Sequence, residues 1–339
     1  MKIHGSLLEL PAPTTPAELA IGMFDGVHRG HQRIIGEAVG MARERGARAI
    51  VLTFSPHPSR VLTPGSPTLL LQSLEDRCAR IAMLGVDTTI VLPFTAEFSR
   101  LPADAFVALL RKTLPGDLRV HVGENFRFGH GGTGNFLPDG AGRQPVPAAS
   151  GAIPGRFETR AHPAVEDADG RVSSTRIREL LAGGETARAN ALLGWNYQSL
   201  ARAVPGRALG RTIGFPTLNM PWTPELLPRF GVYAVRVRKA PGAGGGASLD
   251  AGGWFHGIAN YGLRPTVETA PVLPLLEAHL FAGAGALGAA GIGEGARLLV
   301  EWLHFIRPER KFPGLPALLG QIRMDAESAR RWLAPRMAR

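Results

Sequence analysis

The chain has 339 residues, 45% hydrophobic and 19% charged, which excludes a disordered chain and is long enough for two domains with cores of their own. Its formal charge is +10, nearly all of it arginine, since lysine occurs only at Lys2, Lys112, Lys239 and Lys311. Such a balance suits phosphate-bearing ligands, but the arginines are scattered with no dense basic run, so no nucleic-acid partner is expected.

The first half alternates strand and helix signals. "AELAIGMF" reads as a buried strand, followed by the helix "GHQRIIGEAVGMARERG" closed by Gly46. "ARAIVLTF" is a second strand, and "SLEDRCARIAMLG" a helix with Ser73 as N-cap and Gly85 as its stop. "TTIVLPF", "PADAFVALLRKTL" and "LRVHVG" continue as strand, helix and strand. Strands apolar on both faces that alternate with helices predict a parallel, Rossmann-like α/β sheet with ligands at its carboxyl edge.

Beyond Trp195 the period becomes two, in "YQSLARAV", "GVYAVRVRK", "WFHGIANYG", "PLLEAHLF" and "ARLLVEWLHFI". These segments predict a small antiparallel β-barrel, closed by the helix "PGLPALLGQIRMDAESARRWL". "APGAGGGASLDAGG" and "FAGAGALGAAGIGEGA" read as flexible loops. The boundary falls near 184–196, giving domains 1–186 and 187–339. The single cysteine, Cys78, rules out an internal disulfide and argues against a cysteine-built zinc site. No apolar run reaches the roughly 20 residues that span a bilayer. "MKIHGSLLELPAPTTP" lacks the features of a secretory signal, so a cytoplasmic protein without a membrane partner is expected.

The chemistry of the first half centres on "IGMFDGVHRGHQRII", where His28 and His31 stand three positions apart. A zinc helix places histidines four apart with a carboxylate between them; here Arg29 and Gly30 intervene in a strand-to-helix turn. Loop histidines without a role remain the plain alternative. Position favours an anion site: Gly22, Gly26 and Gly30 permit close backbone approach, and the helix N-terminus offers free N–H groups and positive dipole.

"GMFDGVHRGHQ", "TFSPHP", "VGENFRFGHGGTGN" and "VSSTRIRELL", in this order, resemble the bacterial bifunctional riboflavin kinase/FAD synthetase family. The resemblance implies an N-terminal nucleotidyltransferase domain that adenylylates FMN to FAD. By it, Gly22, Phe24, Asp25, Gly26, His28 and His31 form the nucleotide turn, with the two histidines on the ATP phosphates. Asn125 would contact nucleotide or flavin phosphate, and Phe128 would flank the isoalloxazine. Pro56 and Pro58 would line the flavin pocket. Ser174, Thr175 and Arg178 would face the phosphates, although "SSTRIR" taken alone reads better as an ordinary N-cap. The FMN phosphate is already an anion, so this step needs alignment and charge neutralisation, with Mg²⁺ as partner, rather than a base.

In the second half, Gly206, Gly210 and Gly214 precede "FPTLNM" at a spacing that lets backbone amides reach phosphates. The segment matches the riboflavin kinase signature, which implies that Thr217 and Asn219 hold Mg²⁺ and that Gly206 and Gly210 contact ATP. Leu218 replaces the family's alanine and is expected to point away from the metal. "GIANYGLRPTV", with Arg264 toward the flavin, and "LLEAHLF", with Glu277 as general base for the riboflavin 5′-hydroxyl, complete the resemblance. "FIRPERKF", with Arg307, resembles the segment before the family's final helix. The Gly/Ala-rich stretch after Phe281 departs from the family's pattern. It motivates one alternative, an FAD synthetase whose barrel is a non-catalytic flavin-binding or regulatory module. A second, an RNA-binding protein, rests on charge alone. Riboflavin, FMN and ATP are the expected partners, and the sequence leaves the oligomeric state open.

Overall fold

The computed structural model describes residues 1–9, 16–136, 155–206, 214–240, 253–263 and 273–337. It divides into two compact units, Met1–Ser174 and Thr175–Arg339.

The first unit runs β1 (Lys2–His4), β2 (Ala17–Ile21), α1 (Arg29–Arg45), β3 (Arg48–Ser55), α2 (Pro58–Leu62), α3 (Leu74–Met83), β4 (Thr88–Pro93), α4 (Ala103–Thr113), β5 (Leu118–Gly123) and β6 (Phe157–His162), then a hairpin of β7 (Glu166–Asp167) and β8 (Gly170–Arg171). β1 to β6 form one sheet in the order β1-β4-β3-β2-β5-β6, with every pairing parallel. Side chains alternate across it, as period two requires. Leu19, Ile21, Ile50 and Leu52 pack with Phe106, Val107 and Leu110 of α4. Ala20 and Val51 face the other way, onto Ile35 and Ala38 of α1 and Ile81 of α3. The expected parallel α/β sheet is present, enlarged by two edge strands that are too short or too polar to stand out in sequence. Ser73 caps α3 as expected, accepting from the Asp76 N–H.

One part of this sheet is polar inside. Glu18, fully buried on β2, accepts from His121 Nε2 at 2.7 Å, from Arg119 at 3.3 Å and from Arg45. His121 Nδ1 pairs with His162 Nε2 at 3.0 Å, and His162 Nδ1 meets Glu37 of α1 at 3.1 Å.

The second unit contains α5 (Ser174–Gly183), whose first residue counts with the first unit, and α6 (Thr186–Leu193). It continues with β9 (Gln198–Arg202), β10 (Leu218–Pro221), β11 (Gly231–Lys239), β12 (Phe255–Leu263), β13 (Pro274–Leu280), α7 (Ala284–Ala289), β14 (Arg297–Pro308) and α8 (Leu315–Met337). The six strands pair antiparallel in the order β10-β13-β12-β11-β14-β9. A bridge between Val204 and Asn219 joins the two ends of that order, with Val204 N–H donating to Asn219 O at 2.8 Å. The interior holds Tyr197, Trp222, Tyr233, Tyr261 and Trp302, and the buried Trp302 indole donates to Ser199 Oγ at 3.0 Å. Helix α8 covers the outside, with Ile322, Ala326 and Ala329 on Val232, Ala234 and Ile258, pinned by Arg307 to the buried Asp325 at 2.8 Å.

Helices α5 and α6 bond within the second unit: Arg229 N–H donates to Leu181 O at 3.0 Å, and Asn190 Nδ2 to Trp302 O at 2.8 Å. Two expectations change. The Gly/Ala-rich stretch after Phe281 contains α7 rather than loop alone, because its alanines and Leu287 suit a helix. "TLNM" supplies β10, a strand hidden by flanking prolines.

Candidate active sites

In the parallel sheet, β2 lies between β3 and β5. The chain leaves β2 through α1 toward β3 and returns on the other side only at β5, so the carboxyl ends of β2 and β5 flank the switch point where such sheets bind ligands. The histidine turn follows β2, and Glu124–Phe128 follows β5.

The turn is conformationally costly. Phe24 (φ 51°) and Val27 (φ 36°) both adopt left-handed backbone, beside Gly26 at φ 83°. Each side-chain-bearing residue costs about 1 kcal/mol or more in that region. The surroundings offset this with hydrogen bonds. Met23 O accepts from Arg77 Nη1 at 2.7 Å and Thr53 Oγ1 at 3.0 Å. The Asp25 carboxylate accepts from Leu71 N–H at 3.1 Å, and Asp25 O accepts from Ser174 Oγ at 2.8 Å. The buried Phe24 ring meets His31 edge-on at 5.3 Å between centroids.

His28 is the N-cap of α1, and its Nδ1 accepts the His31 N–H at 3.4 Å. In a neutral ring the proton therefore sits on Nε2, which becomes a donor. The His28 and His31 rings stack at 3.6 Å. Burial first, then the charges of His28 and Arg77, hold the His31 imidazole well below its usual 6.5. Two of the turn's glycines lie against rings of the protein itself. A Cβ on Gly30 would stand 3.1 Å from His28 Cε1, and one on Gly22 would stand 2.9 Å from the Phe24 ring. They seat the protein's own rings, which explains the glycine between the two histidines.

At the carboxyl end of β3, Pro56 follows a cis peptide bond, and Pro58 opens α2 with His57 as its cap. Asn125 is exposed after β5, while Phe128 is buried. Phe128 belongs to a continuous aromatic run, Phe54, Phe94, Phe98, Phe106, Phe128 and Phe136, with successive centroids 4.3–6.1 Å apart. Sequence reasoning named only Phe128 of these; of the others, Phe54 and Phe94 stand at the carboxyl ends of β3 and β4, which was the available signal. Ser174 meets the histidine turn through Asp25 O. Thr175, exposed, and Arg178, half-buried, belong to the second unit.

In the barrel, Asn219 on β10 stands directly opposite Glu277 on β13, which stands opposite Asn260 on β12. Opposed residues share a sheet face, so the three form one polar row. Asn260 Nδ2 also donates to Glu309 at 3.0 Å. Asn219 is 7% exposed and its Oδ1 has no hydrogen-bond partner among the described residues. Gly206 approaches so closely that a Cβ there would lie 2.0 Å from Asn219 Nδ2. Thr217 is exposed two residues earlier. Leu218 alternates to the other face, opposite Ala278. Gly210 and Arg264 lie outside the described residues. Among the described residues no group of three His, Cys, Asp or Glu side chains is placed to hold a metal. A cation at Asn219 would therefore draw most of its ligands from a nucleotide and water, as Mg²⁺ does.

Comparison with known proteins matches both units. Residues 11–176 fit the FAD synthetase family model and residues 193–333 the riboflavin kinase model. Proteins called bifunctional riboflavin kinase/FMN adenylyltransferase are similar along almost the whole chain. The one from Listeria monocytogenes is 35% identical, covering 93% of this chain and 92% of its own. The one from Escherichia coli K12 is 34% identical, covering 94% and 93%. A Streptococcus pneumoniae crystal structure described as a macrolide-efflux protein superposes with a TM-score of 0.76 at 26% identity, covering 97% of this chain and 98% of that one; its description agrees with neither family model. With both models matched in order and relatives similar over more than nine-tenths of their length, the chain belongs to the bifunctional riboflavin kinase/FMN adenylyltransferase family.

Proposed function

We propose that the two activities of the family divide along the chain, with adenylylation of FMN in residues 1–186 and phosphorylation of riboflavin in residues 187–339. The observation that carries this reading is the presence of two chemically different sites: a stacked imidazole pair at a helix N-terminus, and a carboxylate opposite an unpartnered buried amide oxygen.

In the first site an FMN phosphate oxygen attacks the α-phosphorus of ATP, the bond to the β-phosphate breaks, and pyrophosphate leaves. The nucleophile is already ionised, so the protein aligns and neutralises. His28 donates through Nε2 and His31 backs it, with the N–H groups at the start of α1 beside them. Gly22, Phe24, Asp25 and Gly26 shape the turn. Asn125 and Ser174 meet the phosphates, and the resemblance alone adds Thr175 and Arg178 to them. Pro56, Pro58 and Phe128 hold the flavin.

In the second site Glu277 takes the proton of the riboflavin 5′-hydroxyl as that oxygen attacks the γ-phosphorus of ATP and ADP leaves. A neutral alcohol needs this base. Thr217 and Asn219 would hold Mg²⁺, and the unpartnered Asn219 Oδ1 fits that role. Bound there, the ion would neutralise charge on the ATP phosphates. Gly206 approaches the nucleotide; the resemblance alone assigns Gly210 to the nucleotide and Arg264 to the flavin. A cytoplasmic location completes the reading; no described helix is long and apolar enough to cross a membrane.

The test is product analysis after incubating the full chain with ATP and Mg²⁺, starting separately from riboflavin and from FMN. FMN and FAD from the first and FAD from the second are expected. FAD from FMN with no product from riboflavin would remove the kinase half and leave the barrel a binding module.

A further inference from the structure

Helix α3 carries a charged residue on its inward face. Arg77, Cys78 and Ile81 are its buried positions, and Arg77 is only 3% exposed. Taking a guanidinium out of water is expensive unless its donors are well used. Two go to main-chain carbonyls at the carboxyl edge of the sheet: Nη1 to Met23 O at 2.7 Å and Nη2 to Phe54 O at 3.3 Å. Its Nε has no partner among the described residues. Arg77 therefore ties the exit of β2 to the end of β3, immediately before Phe24 enters left-handed backbone. Six residues earlier, Leu71 N–H holds the Asp25 carboxylate, so one segment grips both sides of Phe24. From there contacts lead into the adenylylation site, the Phe24 ring against His31 and His31 stacked on His28.

We propose that Arg77 is a positioning residue for adenylylation: its buried guanidinium holds the Met23–Phe24 turn that backs His31 and places a fixed positive charge beside that imidazole. This rests on the reading of His28 and His31 as phosphate-facing groups. The charged and titratable groups acting on His31 are His28 from the cap of α1 and Arg77 from α3, and Asp25 in the turn and Cys78 on α3 act in turn on Arg77. Burial, then His28, then Arg77 disfavour the imidazolium. Burial lowers the Arg77 pKa and Asp25 opposes that, while an arginine stays charged throughout. The site then presents a neutral His31 in one orientation, its positive charge supplied by a group that does not titrate.

The test uses the full chain with Arg77→Gln, which keeps an amide donor and removes the charge, and Arg77→Lys, which keeps the charge. FAD formation from FMN and ATP is followed between about pH 5 and 9, and the His31 ring is titrated by NMR without substrates. Arg77→Gln should raise the His31 midpoint, move the acid limb of FAD formation to higher pH, and lower the maximal rate by roughly ten- to a hundredfold. Arg77→Lys should keep the His31 midpoint low and recover most of the rate. Riboflavin phosphorylation should be unchanged in both. An unchanged His31 midpoint and rate in Arg77→Gln would overturn the proposal. So would equal loss in both variants with His31 titrating as in the unaltered chain, which marks packing alone. If Arg77→Gln does not melt cooperatively, a raised His31 midpoint in Arg77→Lys overturns the charge role and a retained low midpoint supports it. Normal FAD formation by His31→Ala would instead remove the reading of His31 itself, while the NMR titration still reports on Arg77.

Discussion

Gly206→Ala turns the close approach beside Asn219 into a measurable displacement. A Cβ at 206 would lie 2.0 Å from Asn219 Nδ2 and 2.7 Å from its Cγ, whereas ordinary contact begins at 3.4 Å. The amide must retreat by about 1.4 Å, the difference between the first and last of these. At 7% exposure it has little free space, so the retreat takes it out of line with Glu277. Misplacement by about 1 Å costs roughly a hundredfold in rate, while overpacking costs about 1–3 kcal/mol in stability. FMN formation from riboflavin should therefore fall about a hundredfold and need more Mg²⁺, with FAD formation from FMN kept in the same sample. The assay is initial rates of both reactions across a Mg²⁺ titration, with a thermal melt as control. A near-normal kinase rate with an unchanged Mg²⁺ response would refute the role given to Asn219.

Other perturbations probe the remaining pieces. Gly30→Ala places a methyl 3.1 Å from the stacked His28 ring and should slow FAD formation several-fold while leaving or slightly raising the melting temperature, since alanine favours the helix by about 1 kcal/mol; unchanged FAD formation would count against the need for glycine there. Glu18→Gln leaves Arg45, Arg119 and His121 without their carboxylate and should cost about 3–5 kcal/mol, read as a lower urea midpoint for the first unit; a shift below about 1 kcal/mol would show the network to be dispensable. Acid should destabilise the fold in two stages. Burial holds His31, His162 and His256 below 6.5, so the unfolded chain takes up protons first, and stability is full above 6.5 and falls as pH drops below it. Glu18, whose hydrogen bonds from His121 and Arg45 outweigh the effect of burial, is held below 4.5, so its contribution is present above 4.5 and lost as pH falls through its lower folded value. Urea midpoints that are flat or rise from pH 7.5 to 5 would contradict this.

Much of the architecture was legible because the hydrophobic period reports it directly. β2 and β3 are buried on both faces and mostly apolar, as strands under two helical layers must be. β6, "FETRAH", was not, because it pairs on one side only, at the sheet edge, and is mostly half-buried. β10 was hidden between prolines that usually end strands. At the site, sequence pointed to His28 and His31 and to the helix start beside them. It did not reveal that His28 is itself the cap, that Gly30 is covered by its ring, or that Arg77 and the Leu71 N–H hold the turn from a segment far away in the chain. Those are tertiary contacts made by polar side chains inside the fold, and no local period marks them. Glu277 was named by resemblance, but its alignment with Asn219 needed the strand register.

The central claim is that two separable sites carry out successive steps on one flavin, and product analysis of His28→Ala and Glu277→Gln tests it most directly. With riboflavin, ATP and Mg²⁺, His28→Ala should accumulate FMN and form no FAD. Glu277→Gln should form no FMN from riboflavin, yet convert added FMN to FAD at the rate of the unaltered chain. Loss of both reactions in either folded variant, or of neither, would contradict the assignment.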